Sequence, residues 1–100
     1  MATILYGTVS KDGAKLGGDG YTVNHSKDTG IYYITFSKPF NRMPGASTTQ
    51  IYPNDKTSKG GDTRDNALLI YIDAGEMIVK TGESNGSAKD RDFTFVVIGD

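Results

Sequence analysis

Gly30-Ile31-Tyr32-Tyr33-Ile34-Thr35-Phe36-Ser37 sets Tyr32, Ile34 and Phe36 in alternation with Ile31, Tyr33 and Thr35. A two-residue period is that of a β-strand with one buried face. Gly30 closes the turn before this strand. Lys38-Pro39 ends it, because proline has no amide to give to a ladder and pushes the preceding residue toward extended geometry.

Outward from this strand the same rhythm recurs in both directions. On the N-terminal side, residues 4–9 read as a strand ended by Lys11-Asp12-Gly13. Gly17-Gly18-Asp19-Gly20 reads as a loop, too rich in glycine to be an element, and leads to a short strand over 21–23 that pairs with the central one as a hairpin. On the C-terminal side, Phe40 and Met43 are expected to plug one end of the core, and 47–52 reads as a polar edge strand stopped by Pro53. Residues 54–66 form the longest loop. Residues 67–72, apolar on both faces, are expected to be a central strand covered on each side, and 76–81 return from it antiparallel. The last strand, 93–98, turns Phe93, Phe95 and Val97 inward. Seven strands at this spacing predict a single all-β domain over residues 1–100, an antiparallel Greek-key β-sandwich with a curled β-barrel as the alternative.

Composition supports the class and removes several functions. Thirteen glycines and six tyrosines favour strands and turns, and no window has apolar residues at helical spacing. The net charge of −1 comes from 11 basic and 12 acidic residues of mixed order, so no field would steer nucleic acid or an anionic membrane. With no cysteine there is no disulfide and no thiolate metal site. Met1-Ala2-Thr3-Ile4-Leu5-Tyr6 has no basic leader and too short an apolar run for a signal peptide or membrane insertion. A cytoplasmic setting is the default expectation, and surface or virion association is compatible with it.

The series Gly18-x-Gly20-Tyr21-x-Val23, Gly30-x-Tyr32-x-Ile34-x-Phe36-x-x-Pro39-Phe40-x-x-x-Pro44 and Phe93-x-Phe95 with Gly99 resembles small β-sandwich modules of bacterial proteins and phage tail fibres. It is also distantly similar to H-type lectin domains. The resemblance implies a surface-recognition or structural unit without a catalytic centre. Unlike the H-type lectins, this chain has no tryptophan, which weakens an analogy that extends to sugar binding.

Little in the chain suggests catalysis. The one histidine, His25, lies beside Ser26, but neighbours on an extended chain point to opposite sides, so adjacency does not make a nucleophile–base pair. Asn24-His25-Ser26 also fits the glycosylation acceptor pattern. Asp55, Asp62, Asp65 and Asn66 could offer oxygens to calcium, but Lys56, Lys59 and Arg64 stand among them, and a solvated loop without metal or other cofactor is expected. Gly17 to Gly20 lacks the Lys-Ser/Thr ending of a phosphate cradle.

What asks for a function is the set of apolar residues left over. With Tyr32, Ile34, Phe36, Phe93, Phe95 and Val97 inward, Ile31, Tyr33, Val96 and Ile98 point outward, joined by part of 67–72. A broad apolar patch marks an interface. The expected function is therefore a non-enzymatic recognition or structural module acting through a sheet face or end loops, with a protein or glycan partner or a second copy of itself. The alternative is a carbohydrate-binding domain in which Tyr33, Tyr52 or Tyr71 stacks on a sugar while Asp62, Asp65 and Asn66 take its hydroxyls. A small hydrolase using His25 is a third reading.

Overall fold

Eight strands, one more than expected, make two antiparallel four-stranded sheets in a computed structural model that describes residues 2–57 and 59–100. They are β1 (Thr3–Val9), β2 (Lys15–Gly18), β3 (Tyr21–Asn24), β4 (Ile31–Phe36), β5 (Gly45–Ile51), β6 (Asn66–Ile72), β7 (Glu76–Gly82) and β8 (Asp92–Gly99). One sheet has the order β2-β1-β8-β5, the other β3-β4-β7-β6. The two sheets are not closed into a barrel, which removes the curled alternative.

The core forms where the alternation of the strands predicts it. Tyr32, Ile34 and Phe36 from β4, Met77 and Val79 from β7, and Phe93, Phe95 and Val97 from β8 are all essentially buried. Their rings interlock edge to face, Tyr32 on Phe93 and Tyr21 on Phe95 each with centroids 5.0 Å apart, the geometry that aromatic quadrupoles prefer. Phe40 closes one end against Phe36 as expected, at 5.3 Å, but Met43 does not join it and is 66 % exposed.

The additional strand is β2. Gly18 pairs with Gly7, and the register slips between Thr8 and Val9, so a glycine-rich segment serves as an edge strand, and at Gly18 a side chain would not fit. Gly7 has the same reason to lack a side chain. A Cβ there would stand 2.6 Å from atoms of the Phe95 and Tyr21 rings, which occupy that space.

The residues of 67–72 contradict the expectation of a covered central strand. β6 is an edge of its sheet, β7 is the inner strand, and Leu68, Ile70 and Tyr71 are about half exposed. A bulge between Leu69 and Tyr71 inserts Ile70 as an extra residue, so Ile70 and Tyr71 both lie opposite Ile78. The strand is apolar on both faces because one face meets the core and the other is an exposed patch.

β5 is the edge strand its polarity suggested, and its inward polar groups tie the sheets together. Thr48 Oγ1 donates to Ala67 O at 2.8 Å, and Gln50 Nε2 donates to Asn66 O at 2.7 Å and Gly82 O at 2.8 Å. On the opposite side Tyr21 Oη donates to Gly17 O at 2.7 Å. Side chains thus bridge the sheet edges where a barrel would have main-chain ladders. Gln50→Leu strips two carbonyls of their donor and is expected to lower unfolding free energy by about 1–3 kcal/mol. Urea denaturation checks it, and an unchanged midpoint would mean that water replaces the bridge.

Candidate functional site

The predicted outward residues lie on two surfaces facing opposite ways, not on one. On the β2-β1-β8-β5 sheet, Ile4 pairs with Ile98 and Tyr6 with Val96, and all four are 43–67 % exposed. On the β3-β4-β7-β6 sheet, Tyr33 pairs with Ile78, which pairs in turn with Tyr71. Ile31 pairs with Lys80 and Lys80 with Leu68, one row along. Tyr33 and Ile31 therefore cannot share a patch with Val96 and Ile98, because the whole core lies between them.

The second surface brings together two of the tyrosines singled out from sequence and adds residues that were not. Ile78, Glu76 and Lys80 could have been found from the alternation of β7, which turns Met77, Val79 and Thr81 inward and leaves 76, 78 and 80 outside, whereas Ile70 reaches this side through the bulge in β6. Tyr71 is held in place: its hydroxyl donates to Asp73 Oδ2 at 2.7 Å. That bond holds the Asp73 carboxyl below the usual carboxylate range and raises the Tyr71 phenol.

Tyr52 stands apart from this surface. It follows β5 at the end of the sandwich, and the Arg91 guanidinium lies over its ring with Cζ 3.4 Å from the centroid. Arg91 is itself buried to nine-tenths. One face of Tyr52 is thus taken by a cation–π stack, which leaves only the other for the sugar of the carbohydrate-binding alternative.

The loop acids do not converge on a common point. Asp62 Oδ1 accepts from Arg64 N at 2.9 Å and Arg64 Nε at 3.0 Å, and Asp65 Oδ2 accepts from Asp62 N at 2.9 Å. The hydrogen bonds from the Arg64 side chain and amide push the Asp62 carboxyl down to about 2. Asn66 Oδ1 accepts from Ala67 N at the start of β6. These side chains shape their own turns, as Asp and Asn do in Asx motifs. Among the described residues no group of three or more His, Cys, Asp or Glu side chains that could hold a metal ion forms.

His25 is equally committed. Its Nδ1 lies 2.7 Å from Ile31 O, its Nε2 lies 3.1 Å from Asp90 Oδ1, and its ring stacks on Tyr32 with centroids 4.0 Å apart. Ser26 Oγ donates to Asn24 Oδ1 at 2.7 Å, so it is not the nucleophile for this histidine. Burial alone would raise Asp90, but the Gly30 amide and the His25 ring hold its carboxyl below the usual range. The cluster fastens the β3–β4 turn to the β7–β8 connection.

One cleft of about 790 Å3 opens at the end where β1 begins, lined by Leu5, Tyr6, Gly20, Lys38, Phe40 and Asp100 among others. Its Asp100 accepts from Arg42 Nε at 2.8 Å and Arg42 Nη2 at 2.6 Å. Asp19 at its rim is fully exposed and pairs with Lys15 at 3.4 Å.

The fold and these surfaces define a two-sheet β-sandwich with an apolar patch on each outer face. No known protein family, curated protein or solved structure matches the chain. Among the described residues no helix is long and apolar enough to cross a membrane.

Proposed function

We propose that this protein is a non-enzymatic recognition or structural module that works through its outer sheet faces rather than its loops. The observation that carries this reading is the row Tyr33, Ile78 and Tyr71, laid across three adjacent strands with Ile70 and Leu68 beside it. A surface that joins large apolar bodies to hydroxyls able to stay wet is what interfaces use. The loops fit the role less well, since their acids are satisfied locally. In the same reading β5 to β8 make a Greek key that passes between the sheets, β6 pairing with β7 in one and β8 returning beside β5 in the other. Such a platform suits the surface-recognition or fibre-type unit that the sequence resembles.

Light scattering over a concentration series, together with a glycan panel, tests the reading. Self-association that Tyr71→Asp or Tyr6→Asp removes, with the fold intact, supports it. A strict monomer that binds a glycan and loses it on Tyr33→Ala or Tyr71→Ala would replace it with the carbohydrate-binding alternative. A hydrolytic activity lost on His25→Ala would overturn it in favour of an enzyme.

A further inference from the structure

On the strands of the β3-β4-β7-β6 sheet the only charged residues are Glu76 and Lys80, and both are exposed on β7, two positions either side of Ile78. Row by row, Thr22, Thr35 and Glu76 form one end of the face, Asn24, Tyr33, Ile78 and Tyr71 its centre, and Ile31, Lys80 and Leu68 the other end. An acid and a base stand at equal distances from a neutral, largely apolar centre.

That arrangement is complementary to itself. We propose that the outer face of this sheet packs against the same face of a second copy of the chain, about a two-fold axis running along the Tyr33, Ile78, Tyr71 row. The proposal rests on the sheet-face reading above and gives it a partner and a register. An axis along that row keeps each strand over its own counterpart but reverses its direction. Glu76 of one copy then meets Lys80 of the other, twice by symmetry, while Ile78 meets Ile78 and each tyrosine meets its equivalent. An isologous contact requires this reciprocity. The competing axis, along β7 itself, would set Glu76 on Glu76 and Lys80 on Lys80, and like charges brought together at an interface are costly.

Two further features favour this face over the opposite one. The Tyr71 phenol is already fixed by Asp73 at 2.7 Å, so ordering it on association costs less entropy. On the β2-β1-β8-β5 sheet the charged strand residues are Lys15 at the start of the edge strand β2 and Asp92 at the start of β8, where it accepts from the Lys11 amide at 2.6 Å, so no acid and base stand symmetrically either side of Ile4, Tyr6, Val96 and Ile98. Sheets packed face to face keep their strands within about 30° of alignment, which leaves the Glu76 and Lys80 contacts within reach of these long side chains.

The size of the face sets the strength. Four strands at about 4.8 Å spacing and roughly five residues of height give a footprint of about 300–400 Å2 per copy. A standard interface uses about 800 Å2 per partner. The dimer should therefore be reversible, with a dissociation constant between about 1 μM and 1 mM.

Sedimentation velocity on the full chain, from micromolar to millimolar concentration, tests this with a charge exchange. Glu76→Lys and Lys80→Glu are surface changes that should leave the fold intact, and circular dichroism verifies that. Each alone should weaken dimerisation by tenfold or more, because it replaces both ion pairs with like-charge contacts. The double variant E76K/K80E should restore it. A wild-type chain that stays monomeric to millimolar concentration overturns the proposal. Dimerisation that ignores the single variants but is lost on Tyr6→Asp overturns this face while leaving the sheet-face reading standing. A double variant no better than the singles overturns the antiparallel register.

Discussion

Gly18→Ala is expected to cost about 3–5 kcal/mol, a large share of the roughly 5–15 kcal/mol that holds a domain of this size together. Gly18 has φ of +79°, and a Cβ built on it would collide with the Tyr6 carbonyl oxygen and stand 2.8 Å from Gly7 Cα. A collision with backbone cannot be relieved by a side-chain rotation. The strand would have to separate from β1, which would also disturb the Gly17 carbonyl that accepts the Tyr21 hydroxyl at 2.7 Å. The neighbouring glycine supplies the control. A Cβ at Gly17 would meet only Thr8 side-chain atoms at 3.8 Å, and its φ is not in the left-handed region. Gly17→Ala should therefore stay within about 1 kcal/mol of the parent chain, and it should gain rather than lose because alanine restricts the unfolded state. Urea titrations of the two variants check the contrast. Equal midpoints would mean that β2 does not pair with β1 in this register.

The same glycines show why sequence revealed some of the fold and not the rest. Alternation is a local signal, so the inward sets of β4 and β8 could be read directly, as could the edge position of β5 from its threonines and glutamine. Glycine carries no such signal. A glycine that makes a strand possible by letting two backbones meet looks, in one dimension, like a glycine that breaks one, and β2 was hidden for that reason. β6 misled in another way. A run of apolar residues records that both faces avoid water, not whether the outer face is covered by its own chain, and the bulge at Ile70 adds an exposed residue that strict alternation does not anticipate.

The candidate surface was legible only in pieces. Tyr33 and Tyr71 could be proposed singly as outward tyrosines, but their meeting across Ile78 depends on strand order, which joins residues that are 38 positions apart in number. The separation of Ile31 and Tyr33 from Val96 and Ile98 depends on the same order, since β4 and β8 could be assigned to different sheets only once their partners were known. The loop acids point the other way. Asp62 and Asp65, three residues apart, have the spacing of a self-capping turn, and that local chemistry accounts for them better than a ligand does.

Tyr32→Ala should be the most damaging of the core changes, at about 3–5 kcal/mol, and a milder variant shows what the ring and the hydroxyl each contribute. The ring is fully buried, stacks on His25 at 4.0 Å and meets Phe93 edge-on at 5.0 Å. Its hydroxyl donates to Lys11 O at 2.7 Å, fastening the turn after β1 to β4. Tyr32→Phe keeps the ring and removes the hydroxyl with that bond, so about 1 kcal/mol is expected. Burial first, and then the negative charge of Asp90, push the Tyr32 phenol up to about 12, against about 10 in an unfolded chain. The folded state therefore holds its proton where the unfolded state has released it. Stability from this group is fully present below about pH 10, falls between about pH 10 and about 12, and is gone above the folded value. Denaturation midpoints followed upward from neutral pH should show that decline in the parent chain and much less of it in Tyr32→Phe. The part that persists belongs to other groups, among them Tyr21, whose phenol burial also raises. An alkaline decline identical in the two proteins would show that the Tyr32 hydroxyl ionises as freely in the folded chain as in water, and the seal between β4 and the Lys11 turn would then be open to solvent.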